Sequence, residues 1–346
     1  MKPAVPAMDR PDSDPPSIAQ VAKATNCSVT TVRLVLNGQA GKYRISAATQ
    51  KIVRDYVDLH GYCLNHAARS LKLRRTDTIG LVVPEIANPF FAGLMACLER
   101  LCAARGLVLL TASSGEMPAQ EDRAIRELGT RGIDALIVVP CQAPRYGRLL
   151  GGAKDIPVVL LDRAYTGAPY TVIASDNFGE CVALTDAILD AGEQPHFICA
   201  NERLPSIGDR IAGFGAACRK RRIRNWRARV HCADQDSIHS AGTIVDALLA
   251  QGGPPRALIC SSLLMLQGTM ERLKLRLGQL PPDITFGTFD DHFMLDFLPN
   301  HTFAIRQDAD MLAALALDYL DQHPTGPDGP GRVLAPCTFV QRPARR

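Results

Sequence analysis

Residues 18–38 read "IAQVAKATNCSVTTVRLVLNG", and the spacing of their apolar side chains decides what the front of this chain is. Val32, Val35 and Leu36 form an i, i+3, i+4 triplet, the mark of a short helix with one buried stripe. Upstream, Ile18, Val21 and Ala22 share a second helical face, with Ser17 as N-cap. Between the two lies "NCS". Asn26 is among the few non-glycine residues that tolerate left-handed backbone angles, so a tight turn is expected there, and Ser28 then caps the second helix. Thr30, Thr31 and Arg33 fall outside the buried stripe. Downstream, the basic loop "GQAGKYRI" leads to a third helix capped by Ser46, with Ile52, Val53, Tyr56 and Val57 inward. Three short helices with a tight turn between the first two predict a helix-turn-helix unit.

Outward from that unit, the chain has 346 residues, too many for one compact core. The net charge of +4 conceals an asymmetry: residues 1–75 carry twelve Lys/Arg against five Asp, which leaves the remainder mildly acidic. A basic front on an acidic body predicts a polyanion partner for the front alone. A solubilising basic tail is the plainer alternative. Residues 1–15, rich in Pro and Asp, have the composition of a disordered arm rather than of a signal peptide. No apolar run reaches the length of a membrane span. The eleven cysteines lack CxxC spacing, and most lie in apolar runs, as Cys97, Cys199 and Cys260 do. Free thiols in a reducing cytoplasm are expected.

Beyond Arg75 the period changes. Strand-like runs, among them "TIGLVVP", "LVLLTAS", "DALIVVP", "PVVLLD", "PHFICAN", "RALICSS" and "ITFGTFD", alternate with helices predicted at Phe91–Arg105, Glu121–Arg131, Phe178–Ala191, Gly208–Arg222, Ser237–Ala250 and Met265–Leu275. Nearly continuous apolar strands flanked by amphipathic helices mean parallel sheets covered on both faces. So many strands predict an α/β core of two parallel-sheet subdomains, with ligands at the carboxyl ends of the strands.

Catalytic signatures are absent. There is no GxxxxGK[ST] phosphate loop and no GxSxG elbow, and "GFGAAC" lacks the third glycine of a dinucleotide fingerprint. His231, Cys232, Asp234, Asp236 and His239 in "HCADQDSIH" are possible metal ligands, but Asp and Ser before a helix serve as caps anyway. No enzyme activity, metal or cofactor is expected.

The ordered series "IAQVAKATNCSVTTVRLVLNG", "YRIS", "GYCLNHAARSL", "TIGLVVPEIANPFF", "LDRAY", "DRIAGF", "LQGTMERL", "TFDDHFMLDFL" and "IRQD" resembles the LacI/GalR family of bacterial transcription regulators, over the whole chain after residue 16. Within the family, "NGQAGKYRIS", "LDRAY" and "LPPDITFGTFDDHFMLDFL" look most like the fructose repressors, or catabolite repressor–activators. The resemblance implies a helix-turn-helix DNA-binding headpiece (16–62), a hinge helix or linker (63–75) and a periplasmic-binding-protein-like effector core (76–340). The core would comprise an N-subdomain of about 76–175 plus 308–333 and a C-subdomain of about 176–307 plus 334–340. It further implies a homodimer, with a tetramer left open, on double-stranded operator DNA, and a small sugar phosphate such as fructose 1-phosphate as effector. An unphosphorylated sugar or nucleobase effector, or a cytosolic sugar-binding module without DNA, are the alternatives.

The matching positions name candidate residues. A recognition helix reads base edges near its N-terminus, where Val29 and Thr30 stand, with Leu34 one turn on. Arg33 carries the charge that the family often places at position 34. Ser28, Thr31, Arg33, Asn37, Lys42 and Arg44 are candidate phosphate contacts; helix packing for Thr31 and a solvated charge for Lys42 are the alternatives. In the hinge, Asn65, Ala68 and Leu71 match, Leu71 as the minor-groove wedge or else as a cap on the core. Leu64 replaces the family's common proline. The effector candidates are Phe90, Phe91, Asp162, Arg163, Ser206, Arg210, Ser262, Asp290 and Gln307. Carboxylates and amides suit the hydroxyls of a polyol, and Arg163 with Arg210 would clamp a phosphate. Ion pairs with Asp162 or Asp209 are the alternative for the two arginines.

Overall fold

The computed structural model describes residues 16–36, 38–60, 75–143, 156–323 and 331–345. The arm at 1–15, Asn37, and Asn65, Ala68 and Leu71 of the hinge lie outside the described residues. The chain divides into two compact units, Met1–Thr76 and Asp77–Arg346.

The first unit holds α1 (Ile18–Ala24), α2 (Val29–Leu36) and α3 (Ala47–His60). Ser17 and Gln20 close a reciprocal capping box on α1, satisfying two amides that the helix itself leaves unpaired. Asn26 takes a φ of +51° in the turn. Ser28 Oγ accepts the Thr31 amide at 3.0 Å, and Ser46 Oγ accepts that of Thr49 at 3.1 Å. Val21, Ala22, Val32, Val35, Ala40 and Val53 form the core, with Ile18, Leu36, Tyr56 and Val57 at its rim. Ile52, expected inward, is instead 52% exposed. Val53 occupies the centre of the α3 stripe, and its neighbour, about 100° round the helix, points past it.

The second unit is built on two six-stranded sheets. The first contains β1 (Thr78–Val83), β2 (Val108–Ser113), β3 (Ala135–Val138), β4 (Val158–Leu161), β5 (Val172–Ser175) and β11 (Arg332–Ala335), in the order β2-β1-β3-β4-β5-β11. The second contains β6 (His196–Cys199), β7 (Val230–Cys232), β8 (Ala257–Cys260), β9 (Thr285–Phe289), β10 (Thr302–Gln307) and β12 (Cys337–Arg342), in the order β7-β6-β8-β9-β10-β12. The two orders are the same doubly wound pattern, with the switch point beside β1 in one sheet and beside β6 in the other. All pairings are parallel except β12 against β10.

Helices α4 (Pro89–Ala104), α5 (Pro118–Thr130) and α10 (Ala309–Gln322) cover the first sheet; α6 (Asn177–Asp190), α7 (Pro205–Lys220), α8 (Ile238–Ala250) and α9 (Leu263–Leu277) cover the second. Each sheet therefore buries apolar side chains on both faces, which is why β1, β3, β4 and β8 read as unbroken apolar runs. The chain passes between sheets after Ser175, after Gln307 and at Pro336. The last crossing corrects the boundary expected at 333, because Leu334 and Ala335 still pair with Ala174 and Ser175 of β5. The second sheet's last strand likewise runs to Arg342 rather than ending at 340.

Candidate ligand-binding site

The carboxyl ends of both sheets converge on one cavity. Phe90 and Phe91 reach it from the first turn of α4, whose N-cap is Asn88 and whose first residue is Pro89. Proline fits there because its fixed φ suits a first helical residue and its missing amide would have been unpaired. Asp162 and Arg163 follow β4, and Asp290 follows β9. The two aspartates occupy equivalent places, each with a left-handed backbone (φ +65° and +68°). Each amide donates to the neighbouring strand, Asp162 to Ile173 and Asp290 to Ile305, both at 2.9 Å. Ser206 and Arg210 come from α7, Ser262 caps α9, and Gln307 ends β10. All nine residues named from the sequence as effector candidates line this cavity. Asn88, Ala200, Leu204, Ile207, Asp236 and Ser261 complete the lining.

Arg210 is buried, its guanidinium 3.8 Å over the Phe289 ring. Nε donates to Asn177 Oδ1 at 2.7 Å and Nη1 to the Ser261 carbonyl. Neither Asp162 nor Asp209 pairs with it; Asp209 is met by Arg332 at 3.2 Å. Arg163 is committed differently. Its Nη1 and Nη2 donate to the two Glu116 carboxylate oxygens at 2.9 and 2.5 Å, and Nη1 also reaches the Pro140 carbonyl. Burial works against its charge, yet Glu116 more than restores it and holds the pKa above the usual arginine value. The ion-pair partner is thus chiefly Glu116 rather than either aspartate named as the alternative to a ligand role; Asp162 stands farther off, at 3.8 Å from Nε.

Three carboxylates face this ground. Burial pushes Asp290 up to about 6, against the pull of Arg210 and of the Gln307 amide, which donates to it at 2.6 Å. Asp162 and Asp236 add to the rise. Asp236 is also raised by burial, and the Ser262 hydroxyl, donating at 2.5 Å, only partly offsets this. Across the cleft, Asn88 Nδ2 donates to Asp236 at 3.3 Å and Ser206 Oγ to Asp162 at 3.4 Å. Asp162 Oδ1, Arg163 Nε and Gln307 Oε1 are buried with no hydrogen-bond partner. Such groups cost about 1–3 kcal/mol each unless something supplies the missing bond. They mark where a polar ligand's donors and acceptors would be met.

Sequence reasoning misses Asp236 and Asn88 as cavity residues. Asn88 has a legible signal, a capping Asn before Pro89. Asp236 stands out in "HCADQDSIH" only as a metal ligand or a cap. That segment disperses: His231 stacks on His196, Cys232 meets Cys199 and Asp236 turns into the cavity. Among the described residues no group of three His, Cys, Asp or Glu is placed to hold a metal ion.

In the first unit, Val29 (38% exposed), Thr30, Arg33, Lys42 and Arg44 lie open to solvent, and Leu34 is half-buried. Ser28 and Thr31 share a hydrogen bond of 2.8 Å between their hydroxyls, which ties both to the α2 cap. Arg44 has a φ of +52°. Among the described residues no helix is long and apolar enough to cross a membrane.

Residues 76–280 match the family model described as periplasmic binding proteins and the sugar-binding domain of the LacI family. The catabolite repressor/activator of Salmonella typhimurium is 31% identical over 295 residues, covering 83% of this chain and 86% of that protein. The fructose operon regulatory protein of Vibrio cholerae is 28% identical over 307 residues, covering 87% of this chain and 92% of that one. Among solved structures, the Cra transcriptional dual regulator of Pseudomonas putida in complex with fructose 1-phosphate is 28% identical, with a TM-score of 0.68 over 77% of this chain and 98% of that chain. A lac repressor dimer bound to operator and an anti-inducer shares the fold over 96% of this chain and 100% of that chain (TM-score 0.79, 19% identity).

Proposed function

From the premise that this chain belongs to the LacI family of transcription regulators, we propose that it is a cytoplasmic, dimeric, sequence-specific DNA-binding protein that leaves its operator when a sugar phosphate fills the cavity. Its relatives are transcription regulators of sugar metabolism, not enzymes. The observation that carries the effector reading is the cavity itself: acids, amides and two arginines, gathered at the switch points of two sheets, with buried polar atoms left unpaired.

In this reading Asp162, Asp236, Asp290 and Gln307 take the sugar hydroxyls. The phosphate lies against Arg210 and the first turn of α7. That helix has no side-chain cap, and Ser206 and Ile207 of its first turn line the cavity; a helix N-terminus is a favourable place for an anion. Arg163, held by Glu116, positions the wall rather than clamping the phosphate. Fructose 1-phosphate is the effector we propose, on the likeness to the Cra complex. Residues 16–62 act as the headpiece: Val29, Thr30 and Leu34 read bases, while Ser28, Thr31, Arg33, Asn37, Lys42 and Arg44 touch phosphates. Asn65, Ala68 and Leu71 form the hinge contacts. Two headpieces then engage a pseudo-palindromic site. Linkage requires that operator DNA weaken effector binding by the factor with which effector weakens DNA binding.

A second reading, an unphosphorylated polyol effector, is favoured by the surplus of three carboxylates over one arginine not already paired with a carboxylate. Fluorescence anisotropy of the protein on DNA from upstream of its own gene, titrated with fructose 1-phosphate and with fructose, separates the two. Release by fructose 1-phosphate alone supports the proposal. Release by fructose at equal concentration, or by neither, overturns it.

A further inference from the structure

Two thiols outside the cavity have no part in the effector reading. Cys199, the last residue of β6, and Cys232, the last residue of β7, are direct register partners on adjacent parallel strands. Their sulfurs are 3.2 Å apart. Neighbouring strands hold paired Cα atoms about 5 Å apart, inside the range a disulfide spans, so the backbone is already in place for a bond. Cys199 is buried and Cys232 is exposed. The nearest charges are Glu202, whose carboxylate lies 3.9 Å from the Cys232 sulfur, and Arg227, which pairs with Glu202 at 2.5 Å. The Cys199 thiol, donating to Cys232, lowers the pKa of Cys232, while Cys199 itself is raised. An exposed sulfur whose pKa is lowered, in contact with a buried one whose pKa is raised, is the arrangement of an attacking and a resolving cysteine. The other nine cysteines of the chain show no such pairing among the described residues.

We propose that Cys199 and Cys232 are an oxidative modification site, closed to a disulfide by a hydroperoxide. The Cys232 thiolate attacks one peroxide oxygen, the O–O bond breaks, and water or alcohol leaves after taking up a proton; Cys232 becomes a sulfenic acid. The Cys199 sulfur then attacks the Cys232 sulfur, the S–O bond breaks, and the hydroxyl leaves as water with the Cys199 proton. Two thiols are oxidised by two electrons and one peroxide is reduced. The bond falls at the root of two cavity loops: Ala200 follows Cys199 directly, and Asp236 lies four residues beyond Cys232. The site goes beyond the effector reading, and its chemistry does not depend on it.

The test uses the full-length protein, reduced, desalted and exposed to hydrogen peroxide. Remaining thiols are then blocked with N-ethylmaleimide in urea, which opens the buried ones, and tryptic peptides are weighed with and without dithiothreitol and sequenced by tandem mass spectrometry, since Cys181 and Cys199 share one peptide. The expected result is loss of two of the eleven thiols, with the Cys199 and Cys232 peptides joined and released by dithiothreitol. Cys199→Ser is expected to leave Cys232 as sulfenic acid, trapped by dimedone, and Cys232→Ser to leave Cys199 fully alkylated. Both peptides alkylated in the treated protein would overturn the proposal, as would Cys232 joined instead to another cysteine.

Discussion

Replacing Asp290 by asparagine tests the electrostatics of the cavity directly. The Asp290 carboxyl is buried with a pKa of about 6, against 3.8 for an ordinary aspartate. An acid whose folded pKa is raised stabilises the fold in its protonated form. That contribution is full below the unfolded value and is lost as pH rises through the folded one. Between about pH 5 and pH 7 the folded chain gives up a proton that the unfolded chain does not hold, which costs about 1 kcal/mol. The Asp290→Asn side chain cannot titrate and still offers an amide oxygen to Gln307. The variant's advantage over the wild type should therefore grow by about 1 kcal/mol across that interval. His196 acts in the opposite direction. Burial lowers it to about 4, so its contribution is full above its unfolded pKa and fades as pH falls, but both chains share it and it cancels in the difference. Urea unfolding at about pH 5, 6 and 7 reads that difference, followed by the one tryptophan, Trp226, which packs beside the Phe197–Phe214 stack. A wild-type-to-variant difference that stays flat with pH would refute the burial argument. A difference that shrinks as pH rises would reverse its sign.

Gly213→Ala should destabilise the second subdomain by about 1–3 kcal/mol, because its Cβ would fall 2.4 Å from the Phe178 carbonyl and force α6 and α7 apart; a circular-dichroism melt reads this. Glu116→Gln takes the nearer counter-charge from the buried Arg163, leaving only Asp162 at 3.8 Å, and should lower stability by about 2 kcal/mol, discounted because Glu116 is about one-third exposed; calorimetry on both proteins checks it. Lys42→Ala should weaken operator binding evenly across sequences and reduce the slope of log K against log salt by about one, measured by anisotropy at several salt concentrations.

Much of the architecture is legible in the sequence because both sheets are covered on both sides, which writes β1, β3, β4 and β8 into the chain as apolar runs. The strands that escape notice are exposed ones. β7 is half-exposed, β11 shows three of its four residues to solvent and β12 is mostly open; their neighbours, not their own apolarity, hold them. Several helix starts are set too late. Apolar spacing begins three helices at Phe91, Glu121 and Gly208, whereas Pro89, Pro118 and Pro205 are their first residues, since that periodicity is silent about a proline in the first turn. The cavity candidates come from strand ends and from family motifs, and these positions do converge. Glu116 cannot be found that way. It reaches Arg163 across 47 residues of chain, from a turn where its own φ is +56°, and no local pattern announces such a partner.

The three crossings between sheets also govern how this chain can be made. Strand β11 pairs with β5 although most of the second sheet is encoded between them. A ribosome therefore releases β5 long before its neighbour exists, and the first sheet must wait with an open edge while the second forms. Contacts this distant in sequence are slow to close, and unpaired edges invite wrong partners. The last strands, too polar to stand out in the sequence, are then the final pieces to seat, and a chain halted before Arg332 would keep an unfinished edge at β5 however well the second sheet had packed.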